Sequence, residues 1–378
     1  MLVPESFDAA AAELADATAA GEPLRIRGGG TKSDWGVPAS TAQELSTARL
    51  DALLEHNEGD LTATVQAGLP MARLAERLAE TGQMLALDPP LQHGSSQATI
   101  GGVIATADSG PLSHRYGRPR DLVLGITFAL SDGTIARAGG RVIKNVAGYD
   151  LGKLFCGSFG TLGLVLSLTL RLHPLPAARA TAIGIADDPD RLAAAAQALA
   201  GAPLELEALD VAWRGGRGGL LACCGGAEAL RRAKRTAQLM QAAGLDGVDV
   251  TADDTELWAR QRAGQRSADR ALVRVAAQRS ALPAILRACD RAGGTLVGRA
   301  AEGVWWAELD PTAVMRLRVD VAADVPGSVS VVLDAAPEQR AEAWGAVRDQ
   351  GAAALMRQIK ARFDPAGTCN PGIFVGGI

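Results

Sequence analysis

The order of apolar and polar positions divides the chain into two regimes. "SFDAAAAELADATAA", residues 6–20, carries apolar residues at helical spacing between a serine and Gly21, and predicts a capped helix. "LRIRG" follows as a short strand that runs into three glycines, and "LTATVQAG" alternates apolar and polar residues as a strand with one buried face does. Pro70 suits the first turn of a helix whose apolar stripe is Met71, Leu74, Ala75 and Leu78, with Gly82 as its stop. Residues 88–120 break the pattern with Gly, Pro, Ser and Thr, and read as a long functional loop. "LVLGITFALSDGTIARAGG" is two strands around an Asp132–Gly133 turn. Then come a short helix opening at Tyr149 and Asp150, a glycine turn, and a strand ended by two prolines near residue 176.

From about Ala177 short strands such as "ATAIGIA", "LELEALDVAW" and "GGLLACCGG" alternate with Ala- and Arg-rich helices, among them Ala227 to Ala243. The pattern predicts an α+β chain in three parts. Residues 1–176 form the first domain, 177–336 an antiparallel sheet with helices, and 337–378 a helix from about Glu338 to Arg362 with a tail that returns to the first domain.

Composition changes this picture little. With 378 residues and 48% hydrophobic composition the chain can bury a large core, and the net charge of −4 argues against a nucleic-acid partner. The amino terminus lacks the basic start of a secretory signal, and no apolar run approaches the ~20 residues of a membrane span, so a cytoplasmic location is expected, peripheral to a membrane only through partners. Five cysteines, Cys156, Cys223, Cys224, Cys289 and Cys369, match no zinc or iron–sulfur spacing. Cys223 and Cys224 adjoin on a strand, which suggests one core residue and one surface or interface residue; Trp305 and Trp306 invite the same reading. Arg214 and Arg217, among glycines, read as a solvated turn or an anion site.

Candidate chemistry concentrates in two glycine-rich stretches. "IRGGGTKSDWG" fits neither the P-loop nor the dinucleotide fingerprint, because no G-x-x-x-x-G-K-[ST] occurs and Ser33 stands where a third glycine would be needed. "ATIGGVIATADSGP" offers a hydroxyl at Thr99, bare backbone at Gly101 and Gly102, and small residues Ala105, Thr106, Ser109 and Gly110. Two bare stretches in one domain suggest a ligand with two phosphates and a long body, which a dinucleotide provides.

The run from "TIGGVIATADSGPLSHRYGRPRD" through "GTLGLVLSLTLRLHPLP", with the closing "FDPAGTCNPG", resembles the FAD-binding domain of the vanillyl-alcohol oxidase and p-cresol methylhydroxylase (PCMH) class, and within it the flavin subunits of bacterial glycolate oxidases. The resemblance implies a PCMH-type FAD-binding domain of two α/β subdomains and an α+β cap. It implies that Arg27, Gly28, Gly29, Gly30, Thr31, Lys32 and Ser33 hold the pyrophosphate from one side and Thr99, Ile100, Gly101 and Gly102 from the other. By the same resemblance Ala105, Thr106, Ser109 and Gly110 line the flavin and ribityl part, and Tyr116, Gly117 and Asp121 continue that wall. Gly160, Gly163 and Val165 would sit at the adenine end, and Asn370 and Gly372 in the closing "NPG" would bring the C-terminus back to the cofactor domain. The first loop has no histidine to tether the flavin, so the resemblance implies noncovalent FAD.

Related catalytic subunits and D-lactate dehydrogenases carry a metal-binding histidine motif in the C-terminal half, whereas the four histidines here end at His173. The resemblance therefore implies partners: a second FAD subunit with that motif and an iron–sulfur subunit, acting together on a small 2-hydroxy acid, glycolate to glyoxylate. The alternatives are a self-sufficient 2-hydroxy-acid dehydrogenase and a structural subunit with a vestigial flavin site. No metal site is expected. The catalytic candidates are His114, Arg115 and Lys144, each with a plain structural reading beside the chemical one.

Overall fold

A computed structural model describes residues 1–37, 43–93, 96–140, 150–267, 269–345 and 349–378, so Tyr149 and the candidate Lys144 lie outside the described residues. The chain forms two compact units, one of residues 1–109, 117–175 and 340–378, the other of residues 110–116 and 176–339.

The first unit opens with the helix Phe7–Ala20, whose N-terminus is capped by the Ser6 hydroxyl accepting from the Ala9 N–H at 3.1 Å and whose C-terminus ends at left-handed Gly21. Its buried face, Ala10, Ala11, Leu14 and Ala17, packs with Leu24, Leu45, Leu164, Leu166 and Cys369 into one small core. A parallel pair, Leu24–Arg27 with Gln43–Ser46, stands beside a five-stranded antiparallel sheet in the order Leu53–Asn57, Thr62–Gln66, Leu164–Arg171, Val123–Ala129, Ile135–Gly139. The hairpin expected around Asp132–Gly133 is present: Ala129 faces Ile135, and the Gly133 N–H donates to the Leu130 carbonyl at 3.0 Å.

Two expectations change here. In the helix Met71–Ala79 the buried stripe is Met71, Leu74 and Leu78, while Ala75 faces solvent, because a stripe three residues long already covers the contact made by so short a helix. Residues 88–120 are not a structureless loop. They contain the helix Ile100–Thr106, N-capped by Thr99, whose Ile100, Val103 and Ile104 are fully buried, and the single turns Ser113–Tyr116 and Pro119–Leu122. The glycines masked that helix in the sequence, since Gly101 is tolerated mid-helix only because it abuts Ala67.

The second unit is built on one eight-stranded antiparallel sheet in the order Asp246–Thr251, Arg179–Ala186, Arg217–Gly225, Leu206–Arg214, Thr295–Arg299, Val304–Leu309, Ala271–Ala276, Val329–Asp334. A row of helices, Pro189–Gly201, Ala229–Ala242, Leu282–Arg291 and Val314–Asp324, packs along it. Thr255–Ala263 packs on the opposite face, where Trp258 meets Cys223, Ala208 and Leu221. Because both faces are covered, the half-exposed reading of the two adjacent pairs is corrected: Cys223, Cys224, Trp305 and Trp306 are all buried. Arg214 and Arg217 are exposed at a two-residue hairpin turn made by Gly215 and Gly216, both at positive φ.

The C-terminal helix is two helices, Pro337–Gly345 and Gln350–Phe363, the second capped by Asp349 accepting from the Gly351 and Ala352 N–H groups at 2.9 and 3.0 Å. After it the tail re-enters the first unit, with a parallel bridge between Leu24 and Cys369. Among the described residues no helix is long and apolar enough to cross a membrane.

Candidate cofactor site

The strand Leu24–Arg27 ends at the first glycine loop, and the helix Ile100–Thr106 begins at the second, both in the first unit. The two loops touch. A Cβ at Gly28 would lie 2.3 Å from the Thr99 hydroxyl, and one at Gly29 would lie 1.6 Å from the Gln97 carbonyl oxygen, distances that no side chain tolerates. Around this contact lies a cavity lined by both loops and partly open to solvent.

Of the residues expected at the cofactor, the cavity wall brings together Arg27, Gly28, Gly29, Gly30, Thr31, Lys32 and Ser33 from the first loop and Thr99, Gly101, Gly102, Ala105 and Thr106 from the second helix. Gly160, Gly163, Val165 and Asn370 complete it, together with Arg25, Ile26, Phe159 and Ile373. The two loops contribute differently. The Ile100 and Gly101 N–H groups are committed to the Leu69 and Ala67 carbonyls at 3.0 and 2.7 Å, and that of Gly102 to the Thr99 hydroxyl at 3.3 Å. No hydrogen bond among the described residues uses the N–H of Gly28, Gly29, Gly30 or Thr31. The first loop therefore has N–H donors that could receive an anion, while the second offers close approach and small side chains. The Ile100 side chain is fully buried in the apolar core and does not reach the wall.

Lys32 is almost wholly buried, and its ammonium sits 3.3 Å from the Asp108 carboxylate and 3.2 Å from the Thr31 hydroxyl. This ion pair, with side chains 5% and 1% exposed, joins the first loop to the end of the second helix. Asp108 was not among the sequence candidates, though it is the one charge in "ATIGGVIATADSGP" and that isolation was a usable signal.

The far side of the cavity is held by the tail. Asn370, at φ 43, accepts the Ile26 N–H on Oδ1 at 2.7 Å and donates through Nδ2 to the Phe159 carbonyl at 2.7 Å. A Cβ at Gly160 would fall 2.7 Å from that Nδ2, so the turn must be glycine. Lys360 reinforces the arrangement by donating to the Thr161 and Cys369 carbonyls and to Asp364 at 2.6, 2.9 and 2.5 Å.

The remaining candidates lie elsewhere. Gly117, at φ 87, packs against Asp121, which accepts the Arg118 N–H at 2.9 Å; the pair caps a turn. Ser109 ends the first unit's first segment outside the cavity wall, and Gly110, His114, Arg115 and Tyr116 belong to the second unit. There the segment 110–116 is pinned to the sheet: Ser113 donates to Glu302 at 2.8 Å, Arg115 to the Glu205 carbonyl at 2.9 Å and Tyr116 to Glu207 at 2.9 Å. Burial and the Glu207 carboxylate push the Tyr116 hydroxyl up to about 12, and burial holds His114 below its ordinary value against the opposing pull of Glu302. The Gly110 carbonyl accepts from Arg299, whose guanidinium also meets Asp210 at 2.7 Å and Gln265 at 2.8 Å and lies over the Trp306 ring. No sequence pattern marked Arg299 or Asp210, because a charge buried by tertiary packing leaves no periodic trace.

The family model for the FAD binding domain matches residues 1–139, and that for FAD linked oxidases, C-terminal domain, matches residues 339–373. Glycolate oxidase subunit GlcE of Escherichia coli is 36% identical over 41% of this chain and 44% of its own length. Glycolate oxidase subunit GlcD of Bacillus subtilis is 35% identical over 50% of this chain and 40% of its own, and the mitochondrial D-lactate dehydrogenase [cytochrome] 1 of Saccharomyces cerevisiae 36% identical over 43% and 27%. The chain thus spans less than half the length of these curated relatives. A solved alkyldihydroxyacetonephosphate synthase has the same fold, with a TM-score of 0.69 and 15% identity over 98% of this chain and 76% of that one. The bare donor loop, the glycines that only close approach explains and these matched segments agree in marking residues 1–139 as an FAD binding domain, with residues 339–373 similar to the C-terminal domain of FAD linked oxidases.

Proposed function

We propose that this chain is a flavin subunit of a complex that oxidises glycolate to glyoxylate, a loss of two electrons and two protons, and that it works beside a second FAD subunit bearing a metal-binding histidine motif and an iron–sulfur subunit. The observation that carries the reading is the meeting of the two glycine loops around a cavity where the N–H groups of Gly28 to Thr31 have no hydrogen-bond partner among the described residues. A flavin held by these residues would supply the capacity to take electrons in pairs and release them singly, the property a link between a hydroxy acid and iron–sulfur carriers needs.

The chain's own residues bind and orient. Gly28, Gly29, Gly30 and Thr31 would donate to the diphosphate, and fixed peptide dipoles do this without the entropy cost of ordering long side chains. Ala105 and Thr106 leave room for a flat ring, and Gly160, Gly163 and Val165 would face the other end. No histidine stands in the first loop, in keeping with noncovalent binding. The absence of histidines beyond His173 is why substrate activation is assigned to a partner.

The test is to purify the chain alone and in the presence of partners, release the flavin by heating, and assay glycolate with a dye acceptor. One FAD per chain with negligible turnover alone and turnover on reconstitution is expected. Brisk glycolate oxidation by the isolated chain would overturn the auxiliary role, and a colourless chain would overturn the cofactor assignment.

A further inference from the structure

Three cations line the wall of the cofactor cavity, Arg25, Arg27 and Lys32. Two are balanced in place, Arg27 by Glu44 at 3.2 Å and Lys32 by Asp108 at 3.3 Å. Arg25 differs. Its Nη2 donates to the Ser33 carbonyl at 2.6 Å, and among the described residues no carboxylate pairs with it. The contact holds the guanidinium against the very loop whose Gly28 to Thr31 N–H groups have no hydrogen-bond partner among the described residues. A guanidinium carries five donors in a planar fork, and a single bond to Ser33 leaves a pair available for phosphate oxygens.

We propose that Arg25, and not Lys32, supplies the counter-charge for the cofactor's diphosphate, and so sets the affinity for a dinucleotide over an uncharged flavin. The inference rests on the FAD reading above and adds to it a residue that neither the glycine motifs nor the charge of the loop identifies. Lys32 and Asp108 form a nearly neutral unit in a buried setting, so the lysine's field at the cavity is largely cancelled by a carboxylate 3.3 Å away. Arg27 is treated the same way by Glu44. The field that reaches a dianion from side chains is then mainly that of Arg25, added to the peptide dipoles of the loop.

The experiment uses the full chain stripped of flavin, with R25M and R25K beside the wild type. Binding of FAD, ADP and riboflavin is followed by flavin fluorescence and by competition, at low and high salt, together with thermal melting of the apo form. R25M is expected to weaken FAD and ADP alike by about tenfold to hundredfold at low salt, as loss of a charge-assisted hydrogen bond does. It should flatten the salt dependence and leave riboflavin affinity and apo melting unchanged, and R25K should recover part of the loss. FAD and ADP binding like the wild type in R25M would overturn the proposal. So would a loss of riboflavin affinity together with a lower apo melting temperature, because Arg25 would then be only a brace on Ser33. A wild type that binds none of the three probes removes the cofactor reading itself, and this proposal with it.

Discussion

At Gly29 the spacing between two loops is set by the absence of a single atom. The Gln97 carbonyl occupies the volume a Cβ would need, so Gly29→Ala must drive the first loop away from the second. The expected result is a chain that folds but loses FAD, with affinity down by at least about a hundredfold, a penalty of roughly 3 kcal/mol. Gly201 is the control. It ends the helix Pro189–Gly201 with open space around it, and Gly201→Ala should leave flavin content unchanged and melting equal or slightly higher, by up to about 1 kcal/mol in stability. Fluorescence titration and thermal melts of both variants decide the matter. This is also the scale at which the sequence spoke most clearly. Three glycines after a strand and two after Thr99 announced close backbone approach, whereas the division of labour between the loops was hidden, since only the fold shows that Leu69 and Ala67 already occupy the second loop's donors.

Elements position that contact, and the tail is the most economical of them. One side chain, Asn370, satisfies the Ile26 N–H and donates to the Phe159 carbonyl, tying the strand that feeds the first loop to the turn that closes the cavity. Asn370→Ala leaves both groups without that partner at a largely buried site. We expect a loss of about 2 to 4 kcal/mol in unfolding free energy, with weaker flavin retention; urea denaturation with and without added FAD would measure both, and a change under about 0.5 kcal/mol would contradict the role assigned to it. Element prediction from periodicity succeeded where a face was apolar and continuous, as in Phe7–Ala20 and Thr62–Gln66. It failed in residues 88–120, where Ile100, Val103 and Ile104 do form a helical stripe but Gly101 and Gly102 interrupt its propensity. It also ran two helices together near residue 349, because Asp349 is polar in a stretch where polarity is unremarkable on a helix surface.

Across the molecule, burial on both faces of the eight-stranded sheet explains why its paired Cys and Trp residues were misread: alternation along a strand tells which face a residue takes, not whether that face is covered. The same burial governs thiol chemistry. Cys156, Cys223, Cys289 and Cys369 are each pushed up to about 12, desolvation being the first cause in every case, and Cys224 is raised as well. At pH 8 the thiolate fraction is therefore small for all five. A disulfide reagent should label less than one thiol per native chain in the time that it labels all five after unfolding; rapid native labelling of two or more would show that the covering helices open.

The order in which the polypeptide emerges from the ribosome gives the returning tail a further meaning. Both glycine loops precede the sheet in the chain, yet the tail residues that close the cavity, Asn370 and Ile373, come after the entire eight-stranded sheet. A nascent chain stalled before residue 340 would hold the first loop's donors without Asn370 to brace them. The brace on the first loop thus becomes available only after the sheet has been made.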